Sequence, residues 1–213
     1  MNRCIPLVLL LAALLAGCAG VPSAPETTWY RLPEPVPRER LDAPLVELPI
    51  VVETFTADGL YSDQALIYTL DAQADRLRAY HYQLWIDPPV RLLQRRLVAD
   101  LRASGIARVV TDRLPTRLEV LRVHGRIARL DRVRTDTGWE VAVSLVLRAE
   151  PPGGGRPWVI GEYHRQLPSA GDRVADSVRA YGQALDQIHG EFIADLAERA
   201  RRAAAGNDAV RMR

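Results

Sequence analysis

The segment Leu15-Ala16-Gly17-Cys18 constrains this chain more than any other feature, because it decides which residues are left to fold. It has the form of a bacterial lipobox, in which a signal peptide is cut before the cysteine. The uncharged run over 5–16 follows Arg3 and is shorter than the roughly 20 apolar residues of a membrane-spanning helix. We therefore predict a lipoprotein signal peptide over 1–17, with an N-acyl chain and an S-diacylglycerol on Cys18 and no other cofactor.

A cysteine that carries two or three acyl chains anchors a protein almost permanently, since each buried CH₂ contributes about 0.8 kcal/mol. Ala19 follows Cys18 where an aspartate commonly signals retention in the inner membrane. The periplasmic face of the outer membrane is therefore the predicted location, and the inner membrane is the less favoured alternative.

Charge and cysteine usage exclude several function classes. The chain has no lysine, and removing Arg3 from its 28 basic residues leaves 27 arginines against 26 acidic residues. A nearly neutral body without a basic face argues against nucleic-acid binding. Cys4 leaves with the signal peptide and Cys18 is acylated, so the mature domain is predicted to have no disulfide, no thiol catalysis and no cysteine-ligated metal.

The segment 18–44 is rich in proline and is predicted to be a lipidated N-terminus followed by an extended tether. Within it, Trp29-Tyr30-Arg31-Leu32 is a short apolar segment that could form a first edge strand. The folded domain is predicted over 45–203 and a flexible tail over 204–213.

The first part of the domain alternates between strands and a helix. Strands are predicted over 45–52, 65–70 and 77–86 from their β-branched, apolar and aromatic residues. Asp87 is a candidate helix cap, Pro88 suits a first helical turn, and Gly105 is a typical helix stop. A strand over 106–111 follows, so this unit predicts a right-handed crossover between a parallel pair of strands.

The second part predicts an antiparallel meander and a long helix. Apolar and polar residues alternate over 118–167, interrupted by turn sequences at 136–138 and 151–155. The helix over about 172–202 has apolar residues at spacings of three and four, which indicates packing on the sheet, with a seam for a partner helix as the alternative. The fold class is therefore mixed α/β (α+β): one domain, with a mixed sheet that contains an antiparallel meander flanked by two main helices.

We find no catalytic constellation and no metal site. His81, His124, His164 and His189 are far apart in sequence and are best interpreted as structural or exposed histidines. No serine lies in a nucleophile-elbow sequence. Asp131 and Asp136 flank a predicted hairpin turn and are interpreted as solvated turn residues rather than an acid and base pair.

The most distinctive stretch of the mature chain runs from Tyr80 to Pro89 as Tyr-His-Tyr-Gln-Leu-Trp-Ile-Asp-Pro-Pro. Its aromatic residues, Tyr80, Tyr82 and Trp85, fit core packing, and they also fit a partner-binding edge or groove. One sequence does not separate the two strand faces, so both interpretations stay open.

From this stretch the chain resembles the ABC-type transport auxiliary lipoproteins, which include the lipoprotein of the paraquat-inducible (Pqi) system. The shared features occur in the same order: lipobox, proline-rich segment with Trp29-Tyr30-Arg31-Leu32, strand from Leu45, and the Trp-x-Asp-Pro-Pro sequence entering an amphipathic helix. A meander and a C-terminal helix complete the pattern. Trp85, Asp87 and Pro88 match the family's pattern as architecture, and only Cys18 transfers as a functional residue, the lipidation site.

The resemblance implies a non-enzymatic auxiliary component of a lipid or hydrophobic-solute transport system. Its implied partners are a mammalian-cell-entry (MCE) domain protein, on which it docks, and the ABC permease and ATPase. A homo-oligomeric ring is an assembly that the resemblance allows. Two alternatives remain: an envelope-assembly or integrity lipoprotein that binds a β-barrel or cell-wall component, and a periplasmic hydrolase that uses His124 or His164.

Overall fold

The computed structural model of the protein describes residues 25–71, 75–113 and 118–211, so Cys18 and its predicted lipid lie outside the described residues. The strands are β1 (Thr28–Tyr30), β2 (Ile50–Val52), β3 (Thr56–Ala57), β4 (Ala65–Thr69), β5 (Arg78–Trp85), β6 (Val110–Thr111), β7 (Leu121–Thr135), β8 (Gly138–Glu150) and β9 (Val159–Pro168). The helices are α1 (Pro89–Ser104) and α2 (Val174–Arg211), with a short 3-10 helix at Gly59–Ser62.

All nine strands belong to one sheet that is organised by β7. β8 pairs antiparallel with β7 along its whole length. On the other edge of β7, β2 and β4 both pair in parallel, at Leu121–Val123 and Asp131–Val133 respectively. A strand of 15 residues spans about 50 Å, which leaves room for both. β6 then extends the sheet from β2, and β5 and β1 extend it from β4.

The fold class is confirmed as mixed α/β in a single domain, and the meander is confirmed as β7-β8-β9 with antiparallel pairing throughout. Its second turn contains Gly153, Gly154 and Gly155 with φ values of 77, 77 and 107°. These values lie in the region that glycine adopts at little cost, so the turn sequence matches the backbone that it must form.

The predicted parallel pair around α1 is wrong. β5 and β6 do not pair, since β5 joins β4 antiparallel whereas β6 joins β2 in parallel. Because β2 and β4 are parallel to the same strand, β5 and β6 run in opposite directions. The length of β7 is the reason: it accepts two separate strand groups on one edge, so strands that are consecutive in the chain are not neighbours in the sheet.

Both helices pack on the same core. The sequence places Val90, Leu93, Leu97 and Leu101 on one stripe of α1; the three leucines are buried and Val90 is partly buried against the core. The predicted apolar stripe of α2 is likewise core; its buried members are Val178, Tyr181, Leu185, Ile188, Phe192 and Leu196. α2 continues to Arg211, through most of the segment 204–213 that we predicted as a tail. Among the described residues, no helix combines the length and apolarity needed to cross a membrane.

The start of α1 differs in one detail from the prediction. Pro88 occupies the capping position without a side-chain hydrogen bond, and Asp87 instead forms an ion pair with Arg95, eight residues further along the chain. The stop is as predicted, because Gly105 adopts a left-handed conformation with φ 70° and its N–H donates to the carbonyl of Arg102 at 3.2 Å.

Gly125 in the middle of β7 is covered by the ring of Phe55, which occupies the space of a Cβ at that position. We expect Gly125→Ala to lower the free energy of unfolding by about 1–3 kcal/mol, because the ring must shift within a packed core. Urea unfolding measures the loss. Combining it with Phe55→Leu should cost less than the sum of the two single changes; strict additivity would show that the ring and the glycine are not coupled.

Candidate partner-binding surface

The three aromatic residues that we predicted as a partner-binding set do not share a surface. The register of β5 with β4 shifts between two residue pairs, Ala65↔Leu84 and Ile67↔Ala79. Between these pairs β5 advances by five residues and β4 by only two. This bulge inserts an odd number of residues and reverses the alternation of faces along β5. Tyr80 and Trp85, five positions apart, therefore both contact the helix-covered side of the sheet.

Trp85 is a core residue. It is 2% exposed and its ring packs edge-on against Tyr181 of α2, with the ring centroids 5.5 Å apart. Tyr80 is half-buried: its hydroxyl accepts a hydrogen bond from Arg132 at 2.9 Å, and its ring lies 4.3 Å from that of Tyr68. The core interpretation therefore describes Trp85, and Tyr80 contributes to the packing beside it.

Tyr82 remains on the surface and has an aromatic neighbour. Trp29 of β1 pairs in register with Leu84, which is two positions from Tyr82 along β5. Trp29 is 51% and Tyr82 41% exposed. We call this pair the aromatic edge, since β1 is the terminal strand on this side of the sheet.

The segment after β1 is not a free tether in the structure. Residues 31–41, which we call the strap, run along α1 and α2 and are bonded to both helices. Arg96 of α1 donates to the carbonyl of Pro33, and Arg38 donates to the carbonyl of Asp186 on α2. At the end of the strap, the N–H of Leu41 donates to the carbonyl of Ser104 at 2.9 Å. The predicted extended segment is therefore docked on the domain over these residues.

Glycines let the strap approach the helices closely. A Cβ on Gly182 would lie 3.0 Å from Pro33, and one on Gly190 would collide with the guanidinium of Arg38. Both glycines lie inside α2, where glycine costs about 1 kcal/mol relative to alanine. Their presence is explained by the contact with the strap.

A buried charged cluster joins the strap to both helices. Asp100 and His189 are completely buried, and His189 Nδ1 lies 2.6 Å from Asp100 Oδ2. Arg96 Nη2 lies 2.6 Å from Asp186 Oδ1, and Arg96 Nε lies 3.4 Å from Asp100 Oδ2. Arg38 completes the cluster at 3.9 Å from Asp100 Oδ1. The predicted structural role of His189 fits this position, but the sequence did not indicate its charged partners.

Hydrogen bonding within this cluster is incomplete. Among the described residues, Asp100 Oδ1 and His189 Nε2 are buried without a hydrogen-bond partner. Arg38 and Arg96 therefore stabilise the Asp100 carboxylate by charge attraction at 3.9 and 3.4 Å rather than by hydrogen bonds. Removing one member of such a cluster leaves the others as uncompensated buried charges.

An open cavity of about 750 Å³ lies between the strap and α2. Its apolar wall consists of Val36, Leu167 and Pro168, and its charged residues, Arg38 and Asp186, already belong to the buried cluster. The groups left for a ligand or partner are therefore mostly apolar.

Asp131 is not a solvated turn residue, which corrects the interpretation from sequence. It is completely buried, accepts from the hydroxyl of Tyr61 at 3.1 Å, and accepts from Arg129 Nε at 2.9 Å. Burial, followed by the charge of Asp131, raises the pKa of Tyr61 well above its usual value. The hydrogen bond to Asp131 raises the pKa of Arg129. β7 has a bulge between Ile127 and Arg129, just before this buried carboxylate, whereas Asp136 in the following turn is exposed.

The histidines that an enzyme would need are not brought together. His124 pairs with Arg148 and His164 with Ser144 on opposite edges of β8, positions about 13 Å apart along the strand. Within 25–71, 75–113 and 118–211, no group of three histidine, cysteine or acidic side chains is arranged to hold a metal ion.

We expect Asp100→Asn to lower the free energy of unfolding by about 3 kcal/mol, because Arg96 and Arg38 lose their buried counter-charge. Glu191→Gln is the matched control: it neutralises an acid on α2 whose ion pair with Arg165 is solvent-exposed, and should cost less than about 1 kcal/mol. Urea unfolding of both variants makes the comparison. Equal losses would contradict a structural role for the buried cluster.

Solved structures resemble this fold over most of the chain. A crystal structure of a Xanthomonas campestris protein of the DUF330 family matches with 17% identity and a TM-score of 0.69, covering 84% of this chain and 99% of that one. A second crystal structure, of an uncharacterized protein, matches with 15% identity and a TM-score of 0.66, covering 81% and 99%. The PelC dodecamer of Paraburkholderia phytofirmans gives a TM-score of only 0.40 at 12% identity, over 71% and 93% of the two chains, so it carries no inference about assembly. No curated protein matches the chain.

The family comparison agrees with the resemblance seen in the sequence. The model of the ABC-type transport auxiliary lipoprotein component matches residues 30–192, from the last residue of β1 into α2. The match includes the strap, the buried cluster and the whole meander. The chain belongs to the family of ABC-type transport auxiliary lipoprotein components.

Proposed function

We propose that this protein is a non-enzymatic lipoprotein, anchored through Cys18 to the periplasmic face of the outer membrane, that docks on the MCE-domain protein of an ABC-type transport system for lipids or hydrophobic solutes. Family membership over residues 30–192 is the observation that carries the proposal. The dispersed histidines and the buried, bonded Asp131 support a role in binding rather than catalysis.

The aromatic edge is the proposed docking surface. Tryptophan and tyrosine are enriched among residues that dominate protein interfaces, because they bury a large area at small entropic cost. Trp29 and Tyr82 present such area to solvent from a rigid strand pair, in which the Tyr30 hydroxyl also bonds Gln83 Oε1 at 2.5 Å.

The pairing of β1 with β5 limits how far the domain reaches from the proposed anchor. Only ten peptide units separate Cys18 from Thr28, the first residue of β1. Fully extended, they span at most about 35 Å. The aromatic edge is thereby proposed to stay near the outer membrane, so the partner's docking surface must extend to it.

We expect Trp29→Ala combined with Tyr82→Ala to reduce recovery of the MCE-domain protein by at least about tenfold, since the change removes both aromatic anchors. The measurement is affinity capture of the tagged lipoprotein from cross-linked envelopes, with quantitative mass spectrometry. Val109→Ala is the control, because Val109 is 45% exposed and directly precedes β6, at the other end of the strand order from β1.

Capture by the wild-type protein distinguishes the candidate functions. Recovery of an MCE-domain protein with its permease or ATPase supports the proposal, and loss of that recovery in the aromatic double variant alone supports the aromatic edge. Recovery of barrel-assembly or cell-wall proteins in their place would favour the envelope-integrity alternative and overturn the proposal.

We expect Cys18→Ala to accumulate as an uncleaved precursor or to leave the outer-membrane fraction, because the acyl acceptor is gone. Membrane fractionation and the mass of the mature N-terminus measure this. Cys4→Ala is the control and should be processed normally. Normal processing and outer-membrane fractionation of Cys18→Ala would overturn the anchor.

A further inference from the structure

A second cavity, remote from the aromatic edge, carries a concentration of arginine. It has a volume of about 600 Å³ and lies between the start of β9 and the later turns of α2. The strand side contributes Arg156, Pro157, Trp158, Val159 and Ile160. The helix side contributes Asp195, Glu198, Arg199 and Arg202, whose spacing of three, four and seven puts them on one helical face.

The two acidic residues of this cavity are already engaged. Asp195 Oδ2 accepts a hydrogen bond from the hydroxyl of Tyr163 at 2.7 Å, and Glu198 Oε1 accepts from Arg202 Nε at 2.9 Å. Burial, and then the bond to Asp195, raises the pKa of Tyr163, so the hydroxyl keeps the proton that it donates.

The other two arginines have no acidic partner. Among the described residues, neither Arg156 nor Arg199 forms an ion pair within 4.0 Å. Arg199 instead lies over Trp158, with its guanidinium carbon 5.4 Å from the ring centroid. This contact is in the range of a cation–π interaction, which orients the planar guanidinium and leaves its N–H donors unused.

We propose that this cavity binds a phosphate-bearing anion, with the phosphate held by Arg156 and Arg199 and the adjoining carbon skeleton against Trp158 and Ile160. Guanidinium donors match the oxygens of a phosphate group and remain charged at any physiological pH. The apolar strand side suits the glycerol or acyl part of an amphiphile better than water. The phosphate can belong to a lipid headgroup or to a free phosphate ester. The assignment depends on this cavity alone and not on the proposed docking function.

Isothermal titration calorimetry of the full-length protein in a non-ionic detergent tests the proposal with four probes. They are inorganic phosphate, glycerol 3-phosphate, dibutanoylphosphatidylglycerol and zwitterionic dibutanoylphosphatidylcholine. Arg156→Gln and Arg199→Gln should each raise the Kd of the bound phosphate compound by at least about tenfold, the loss expected for a charge-assisted hydrogen bond. Arg201→Gln is the matched control, since it removes the same charge from an exposed position of α2 outside this cavity, and it should change the Kd less than about twofold.

The probes separate the sources of the phosphate. Tighter binding of dibutanoylphosphatidylglycerol than of glycerol 3-phosphate supports a lipid headgroup, and equal binding supports a free phosphate ester. Binding of none of the phosphate probes overturns the proposal, as does an equal loss in Arg201→Gln, which would indicate general attraction to a basic helix end. Thermal midpoints of the variants within about 2 °C of the wild-type value exclude a folding defect as the cause of lost binding.

Discussion

The parallel pairing of two strand groups with one edge of β7 is the constraint on which the rest of the structure depends. β2 pairs with Leu121–Val123 and β4 pairs with Asp131–Val133, and β3 pairs with β7 between them. Because β5 belongs to the group around β4 and β6 to the group around β2, α1 connects two strands that are not neighbours in the sheet. α1 and α2 then lie on the same core and contact each other. The interface between these helices is where the strap docks and where the buried charges gather.

Features of the fold that depend on residues close in sequence were predicted, and features that depend on residues far apart in sequence were not. The meander and both helices depend on local signals: alternation, glycine turns and spacing of three and four. All three were predicted from the sequence, although α2 continues past its predicted end to Arg211. The pairing of β5 and β6 was wrong because strand neighbours are chosen by distant residues. The bulge of β5 was also invisible in the sequence, and it brings Tyr80 to the same side of the sheet as Trp85, although the two residues are five positions apart. Alternation along a strand assigns faces only as far as the next bulge.

The strap shows the same limit in another form. Proline content favoured an extended chain, and residues 31–41 lack regular secondary structure, yet they are held by the two helices. The signals that could have indicated docking lie on the two helices that hold the strap. Gly182 and Gly190 are inside α2, where glycine is otherwise unfavourable, and Arg96 and Asp100 are spaced by four on α1. These residues have ordinary explanations one at a time. Together they mark the path of the strap, because each accommodates or bonds it or the cluster beneath it.

The two proposed surfaces lie toward different ends of the sheet, and β7 gives the scale. Trp29 aligns with Leu84 and Ala65, just before the part of β4 that pairs with Asp131. Trp158 precedes Val159, which aligns through Ala149 with Val123. Ala65 is two positions before Ile67, the partner of Asp131, and is therefore level with Arg129. Val123 and Arg129 are six positions apart, or about 20 Å along β7. The two proposed surfaces share no residue, so a variant that loses binding at one of them should keep measurable binding at the other.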